Sequence, residues 1–264
     1  MTDYLHGHHE SVLSGHRRRT AADCCAYLLP HLSGSDAVLD VGCGPGTITL
    51  GLARHVPRGH VLGIDPSADA VAEARQLAEQ EAAPNLRIEQ ADVESLPTGE
   101  TFDVAHAHQV LQHVTDPVAL LRTMAARVRP GGLVAVRDGD YAAMSWWPLL
   151  PELDEWLGLY RAVAHGLGAE PDAGRRLPGW CREARLHDIQ PSLGTWLYAT
   201  APDREQWASM WAARATQSDF ATHALRLGLA DTSALERIAD GWRTWGAHPD
   251  GWLAVVHGQV LARV

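Results

Sequence analysis

Val38-Leu39-Asp40-Val41-Gly42-Cys43-Gly44-Pro45-Gly46-Thr47 is an apolar run that ends in three alternating glycines and leads at once into a helix-compatible segment. The apolar part reads as a buried strand, and glycines let the chain turn tightly and let a ligand approach the backbone. A helix starting at Thr47 adds unpaired N–H groups and a partial positive charge at the same turn. The spacing is G-x-G-x-G, one residue shorter than the G-x-G-x-x-G of dinucleotide-binding turns, and an acid at position 40 is unhelpful beside a diphosphate. The stretch therefore predicts a ligand-binding βα turn of another kind, with Asp40 holding the loop or facing a cationic group.

Outward from this turn the pattern repeats. HVLGID (60–65), LRIEQAD (86–92), FDVAHAH (102–108) and LVAVRD (133–138) read as further strands. Helices are expected over 47–55, from a Ser67 cap to the stop at Pro84, and over 117–128, with a turn at 129–132. Strands alternating with helices, and apolar on both faces, indicate a parallel α/β sheet. A helix is expected over 20–32 before this region. After it, 141–185 is Trp-rich and mostly helical, followed by a strand over 187–200, helices over 203–216 and 231–246, and a closing strand over 252–264. The expected fold class is α/β: a doubly wound, mostly parallel, seven-stranded Rossmann-like sheet with helices on both faces. The expected organisation is an N-terminal helical lid (1–35), an α/β core (36–140), and helical cap elements with the last two strands (141–264).

Composition closes several routes. All 22 basic residues among the 264 are arginine. Without lysine there is no Schiff base to a carbonyl cofactor, no Walker-type phosphate loop and no protein-kinase chemistry. The net charge of −10 argues against a general nucleic-acid binder. Cys24, Cys25, Cys43 and Cys181 have no zinc-site spacing, and a reduced setting is expected. The start MTDYLHGHHE has no apolar signal core, and no run is long enough to span a membrane, so a cytoplasmic location and no membrane partner are expected.

The D-V-G-C-G-P-G block, continued by Asp65, Asp92 and the fourth-strand segment, resembles the class I S-adenosylmethionine-dependent methyltransferases. The resemblance covers about residues 36–140 and is nearest to the small-molecule branch of quinone-biosynthesis and natural-product enzymes. It implies S-adenosyl-L-methionine as cofactor. Gly42, Cys43, Gly44 and Gly46, with Asp40 behind them, would line the methionine and ribose part. Asp65 would hold the ribose hydroxyls, with Pro66 and Ser67 bordering the adenine. Asp92, with Ala91 and Val93, would meet the adenine amino group. His108, Gln109 and His113 would lie at the methionine end. It also implies a small-molecule acceptor, and no nucleic-acid partner, because the D/N-P-P-Y/F element of amino-methylating enzymes is absent after strand four.

Among these, His113 and His108 are candidate catalytic bases, since imidazole titrates near neutrality. No metal site is expected: Asp138 and Asp140 lack further ligands, and the His6, His8, His9 and His16 cluster reads as a solvated tail. His16, Arg19 and Thr20 could reach the pocket from a lid. All ten tryptophans follow residue 145, which suggests a bulky apolar or aromatic acceptor, although each alone reads as core. Arg175 and Arg176 are candidates for an acidic acceptor group. Two alternatives remain: a protein of this fold that binds the cofactor without methyl transfer, and, with less support, an NAD(P)-dependent oxidoreductase.

Overall fold

The computed structural model describes residues 19–97 and 99–264. The strands are β1 (Ala37–Val41), β2 (His60–Asp65), β3 (Leu86–Gln90), β4 (Phe102–His108), β5 (Val128–Gly139), β6 (Ser145–Trp147), β7 (His187–Tyr198) and β8 (Trp252–Arg263). The helices are α1 (Ala21–Cys24), α2 (Thr47–His55), α3 (Ala68–Gln80), α4 (Pro117–Ala126), α5 (Pro151–Gly166), α6 (Ala173–Glu183), α7 (Ala201–Gln217), α8 (Asp219–Arg226) and α9 (Thr232–Ala247). Strands β3-β2-β1-β4-β5 run parallel in that order. β8 then enters antiparallel to β5 and carries β7 on its other side. β6 continues the β5 side of β8 through pairs such as Trp147 with Trp252. The sheet is thus mostly parallel, with one antiparallel strand near its edge.

Local chemistry sets the boundaries. Ser67, Asp116 and Asp231 each accept the backbone N–H three residues on, capping α3, α4 and α9. Every residue of β1 is buried, because one face packs under α1 and α2 and the other under α4 and α6. A separate core joins α5, α7, α8 and α9, where Trp156, Trp211, Trp242 and Trp245 are fully buried. Each such ring withdraws roughly 150–250 Å² from water, so these helices hold together largely through their own aromatic core.

Three local features depart from the sequence expectation. The 20–32 segment is a four-residue helix followed by a tight turn at Leu29–His31, because Pro30 starts the turn. The 129–132 turn is absorbed into β5, and β6 and α8 lie where no separate element was expected. No helix among the described residues is long and apolar enough to cross a membrane. His6, His8, His9 and His16 lie outside the described residues.

Helix α6 meets β8 backbone to backbone: a Cβ on Gly258 would lie 2.0 Å from the Gly174 carbonyl oxygen. Gly258→Ala is therefore expected to cost about 1–3 kcal/mol of stability. Gly158→Ala on α5, where a Cβ meets nothing within 4 Å, is expected to gain about 0.5–1 kcal/mol from helix propensity. Thermal unfolding of the two variants beside the parent chain checks both signs.

Candidate functional site

The carboxyl ends of β1, β2 and β4 open on a cavity of about 1320 Å³. Its wall brings together Asp40, Gly42, Cys43 and Gly44 from the first turn, Asp65, Pro66 and Ser67 from the second, and Ala91 and Asp92 after β3. His108, Gln109 and His113 join them from the end of β4. Two expected residues lie off this wall. Gly46 stands at φ 83° as the N-cap of α2, where a Cβ would come within 2.9 Å of the Ala74 Cβ. Its glycine thus serves the approach of α2 to α3. Val93 points into the sheet core. Gly44 differs from Gly46: it has φ 54°, and a Cβ there would meet nothing within 4 Å, so its backbone is presented to open cavity.

Asp65 ties the two turns together. One carboxylate oxygen accepts the Gly44 N–H at 3.0 Å and the other accepts the Ser67 N–H at 2.9 Å. A carboxylate oxygen can accept from more than one donor, which suits Asp65 to hydroxyl groups at the cavity wall.

Asp40 is buried at the inner end of the wall. It accepts the Thr49 hydroxyl at 2.6 Å and lies 2.7 Å from His106 Nδ1, while Cys25 Sγ stands 3.3 Å from His106 Nε2. Burial pulls the His106 imidazole down, but the Cys25 sulfur and the Asp40 carboxylate outweigh it and push it up to about 10. His106 was not singled out in the sequence; the signal available was a histidine alternating with His108 at the apolar end of the strand. Cys43 is no nucleophile, since burial and then the nearby Asp40 and Asp65 charges push its thiol well up.

At the β4 end, Gln109 adopts φ 56°, an uncommon conformation for a residue with a side chain, and its amide lies 2.9 Å from His257 Nε2. His113 contacts the Gln112 amide at 2.9 Å and is lowered to about 4, by desolvation first and then by Arg19. His108 and His257 are held well below the ordinary imidazole range by burial, then by Arg137 and Arg19. All three rings are therefore neutral at physiological pH.

The opposite wall is aromatic: Tyr141, Trp196, Tyr198, Trp207 and Trp211 face the cavity with Met210. Trp146, Trp147, Trp156, Trp180, Trp242, Trp245 and Trp252 do not line it. Arg19 lines the cavity, whereas Thr20 does not. Arg175 is held by Asp140 at 2.7 Å and Arg176 by Glu170 at 2.7 Å, so both are engaged outside the cavity. Asp138 is buried, with one oxygen accepting the Gln112 N–H at 3.2 Å. Among the described residues no His, Cys, Asp and Glu group is arranged for a metal ion.

The neutral histidines give a signed pH prediction. Their folded-state values lie below the ordinary 6.5, so their contribution to stability is whole above that pH and is lost as the pH falls, through about 4 for His113. Urea unfolding at about pH 7.5 and about pH 4.5 should show lower stability in acid, with a smaller drop in His108→Asn. An equal drop in both proteins would remove His108 from this account.

Against this geometry, the family model described as a methyltransferase domain matches residues 32–190, more than half of the chain. An uncharacterised methyltransferase of Schizosaccharomyces pombe is 31% identical over 98% of this chain and 95% of its own. Among solved structures, coclaurine N-methyltransferase bound to N-methylheliamine and S-adenosylhomocysteine superposes with a TM-score of 0.53 at 17% identity, covering 90% of this chain and 72% of that one. The cyclase SpnF superposes with a TM-score of 0.53 at 20% identity, covering 100% and 88%. At those identities the two structures speak for the fold. The matched domain and the full-length relative place the chain in the class I S-adenosylmethionine-dependent methyltransferase family.

Proposed function

We propose that this enzyme methylates a small, bulky apolar or aromatic metabolite. The observation that carries the reading is one cavity with two unlike halves: a glycine-rich, carboxylate-bearing half on β1 and β2, and an aromatic half from β7, α7 and the segment after β5. On this reading residues 36–140 bind the cofactor, 141–264 build the acceptor half, and 1–35 act as a lid.

Bound S-adenosylmethionine supplies an electrophilic sulfonium methyl group. The Asp65 carboxylate holds the ribose hydroxyls, while its bonds to Gly44 and Ser67 keep the two turns in place. Pro66 and Ser67 border the adenine, and Ala91 and Asp92 meet its amino edge. Gly42, Cys43 and Gly44 bring bare backbone to the methionine end, with Asp40 behind them. His108, Gln109 and His113 stand where the two halves meet. Both histidines are neutral, so each has a lone pair, but their lowered basicity suits them better to orienting the acceptor than to retaining its proton. The Trp207 indole N–H is buried in the cavity wall with no hydrogen-bond partner, and it donates to a polar atom of the acceptor. The chain's contribution to rate is alignment and exclusion of water.

Two measurements test this. Asp65→Ala should weaken S-adenosylhomocysteine binding by about 1–3 kcal/mol in isothermal titration, through loss of charge-assisted hydrogen bonds. In assays that follow S-adenosylhomocysteine release across a panel of aromatic and polycyclic metabolites, accepted compounds should gain the mass of one methylene. Trp207→Ala should then raise the acceptor KM about tenfold and leave the cofactor KM alone. Cofactor binding with no change in acceptor mass across the panel would instead favour a protein that uses the cofactor without transferring its methyl group.

A further inference from the structure

Strands β6, β8 and β7 lie side by side, and their register sorts the side chains onto two faces. Trp146, Leu253 and Tyr198 stand opposite one another, as do Val255 and Trp196. That face packs on the aromatic core of the cap. By alternation the other face carries Trp147 beside Trp252, Leu197 beside Ala254, Thr195 beside Val256 and Leu193 beside Gly258. Helix α6 covers this second face along β8 at Val260 and Ala262 and meets it last at Gly258, against Gly174.

Beyond Gly258 the face is open. An antiparallel sheet with one solvated face is expected to turn polar side chains to the water. Here Trp147 is 56% exposed, Trp252 39%, Leu197 56% and Leu193 74%. These are four of the eight large apolar side chains exposed among the described residues, so the exposure is a patch and not a scatter. Side chains of this size put on the order of 500 Å² of apolar surface there, the upper range for a monomer. A stable dimer buries about 800 Å² per partner, which this patch and a polar rim would supply.

We propose that this face is the contact between two copies of the chain, packed sheet to sheet about a twofold axis. A twofold contact sets the same surface against itself, so a charge within it meets its like. The segments that build the face, 145–150, 192–198 and 251–256, contain no Asp, Glu or Arg, although the chain carries a net charge of −10. A membrane surface fits less well: an anionic leaflet repels an acidic chain, and the face has no arginine to answer it. The described chain begins on the other side of this sheet, where Arg19 lies 5.3 Å from the Trp196 ring centroid. The contact braces β7 from behind, since Trp196 and Tyr198 on its opposite face line the cavity. It is independent of what the cavity binds.

Sedimentation velocity of the full chain over about a hundredfold range of concentration tests this. The parent should sediment at twice the chain mass of 28.7 kDa and shift toward monomer on dilution. Leu193→Glu and Trp147→Glu each place like charges in the twofold contact, and each should raise the dimer dissociation constant at least about tenfold. Leu225→Glu, at a 45% exposed leucine on α8, should leave the equilibrium as it is. A parent chain that stays monomeric at every concentration overturns the proposal, and flotation of that monomer with neutral phosphatidylcholine vesicles would assign the face to lipid instead. A dimer that persists in both Glu variants also overturns it, because another surface then joins the copies. Leu193 is the most exposed of these side chains, so its variant decides the matter if Trp147→Glu does not fold.

Discussion

One carboxylate organises the cofactor side of this molecule. Asp65 reaches from the end of β2 to the Gly44 amide in the neighbouring turn, and closes its own turn on Ser67. Two loops that would otherwise move separately are thereby joined by charge-assisted hydrogen bonds. The glycine turn can then leave its backbone bare without becoming loose. Asp40 gives a second, deeper anchor, since its pair with His106 links β1 to β4 and its bond from Thr49 links both to α2.

The electrostatics change sign across the cavity. Asp65 gives the glycine side negative charge, which suits a cofactor bearing a sulfonium, while the charge of the deeper Asp40 is met by His106. Toward β5 and β7 the field is positive, from Arg19 and Arg137, and it keeps nearby imidazoles unprotonated.

What the sequence discloses depends on how local the determining physics is. The glycine turn and strands β1 and β2 were legible because a buried parallel strand is apolar along most of its length and because backbone turns of this kind need glycine, whereas the edge strand β3, with only Ile88 buried, was legible from its place in the alternation. Gly44 and Gly46 look alike in the sequence but do different work, and only the packing of Ala74 against Gly46 separates them. β6 was hidden because it has three residues and exists through its pairing with β8, about a hundred positions later. The tryptophans were ambiguous for the same reason. Trp207 and Trp211 share α7 with residues of the cap core, and composition does not distinguish a ring in that core from one at its edge. Arg175 illustrates the converse, since its partner Asp140 lies 35 positions earlier and the pairing is invisible until the chain folds.

The cap's independent aromatic core has a consequence for descent. Because α5, α7, α8 and α9 are held chiefly by one another, substitutions on the cavity-facing side of α7 can accumulate with little disturbance to the sheet that carries the glycine turn. A lineage built this way is free to exchange one acceptor for another while inheriting its donor chemistry unaltered. Relatives are then expected to agree most in the first half of the chain and to diverge in the second.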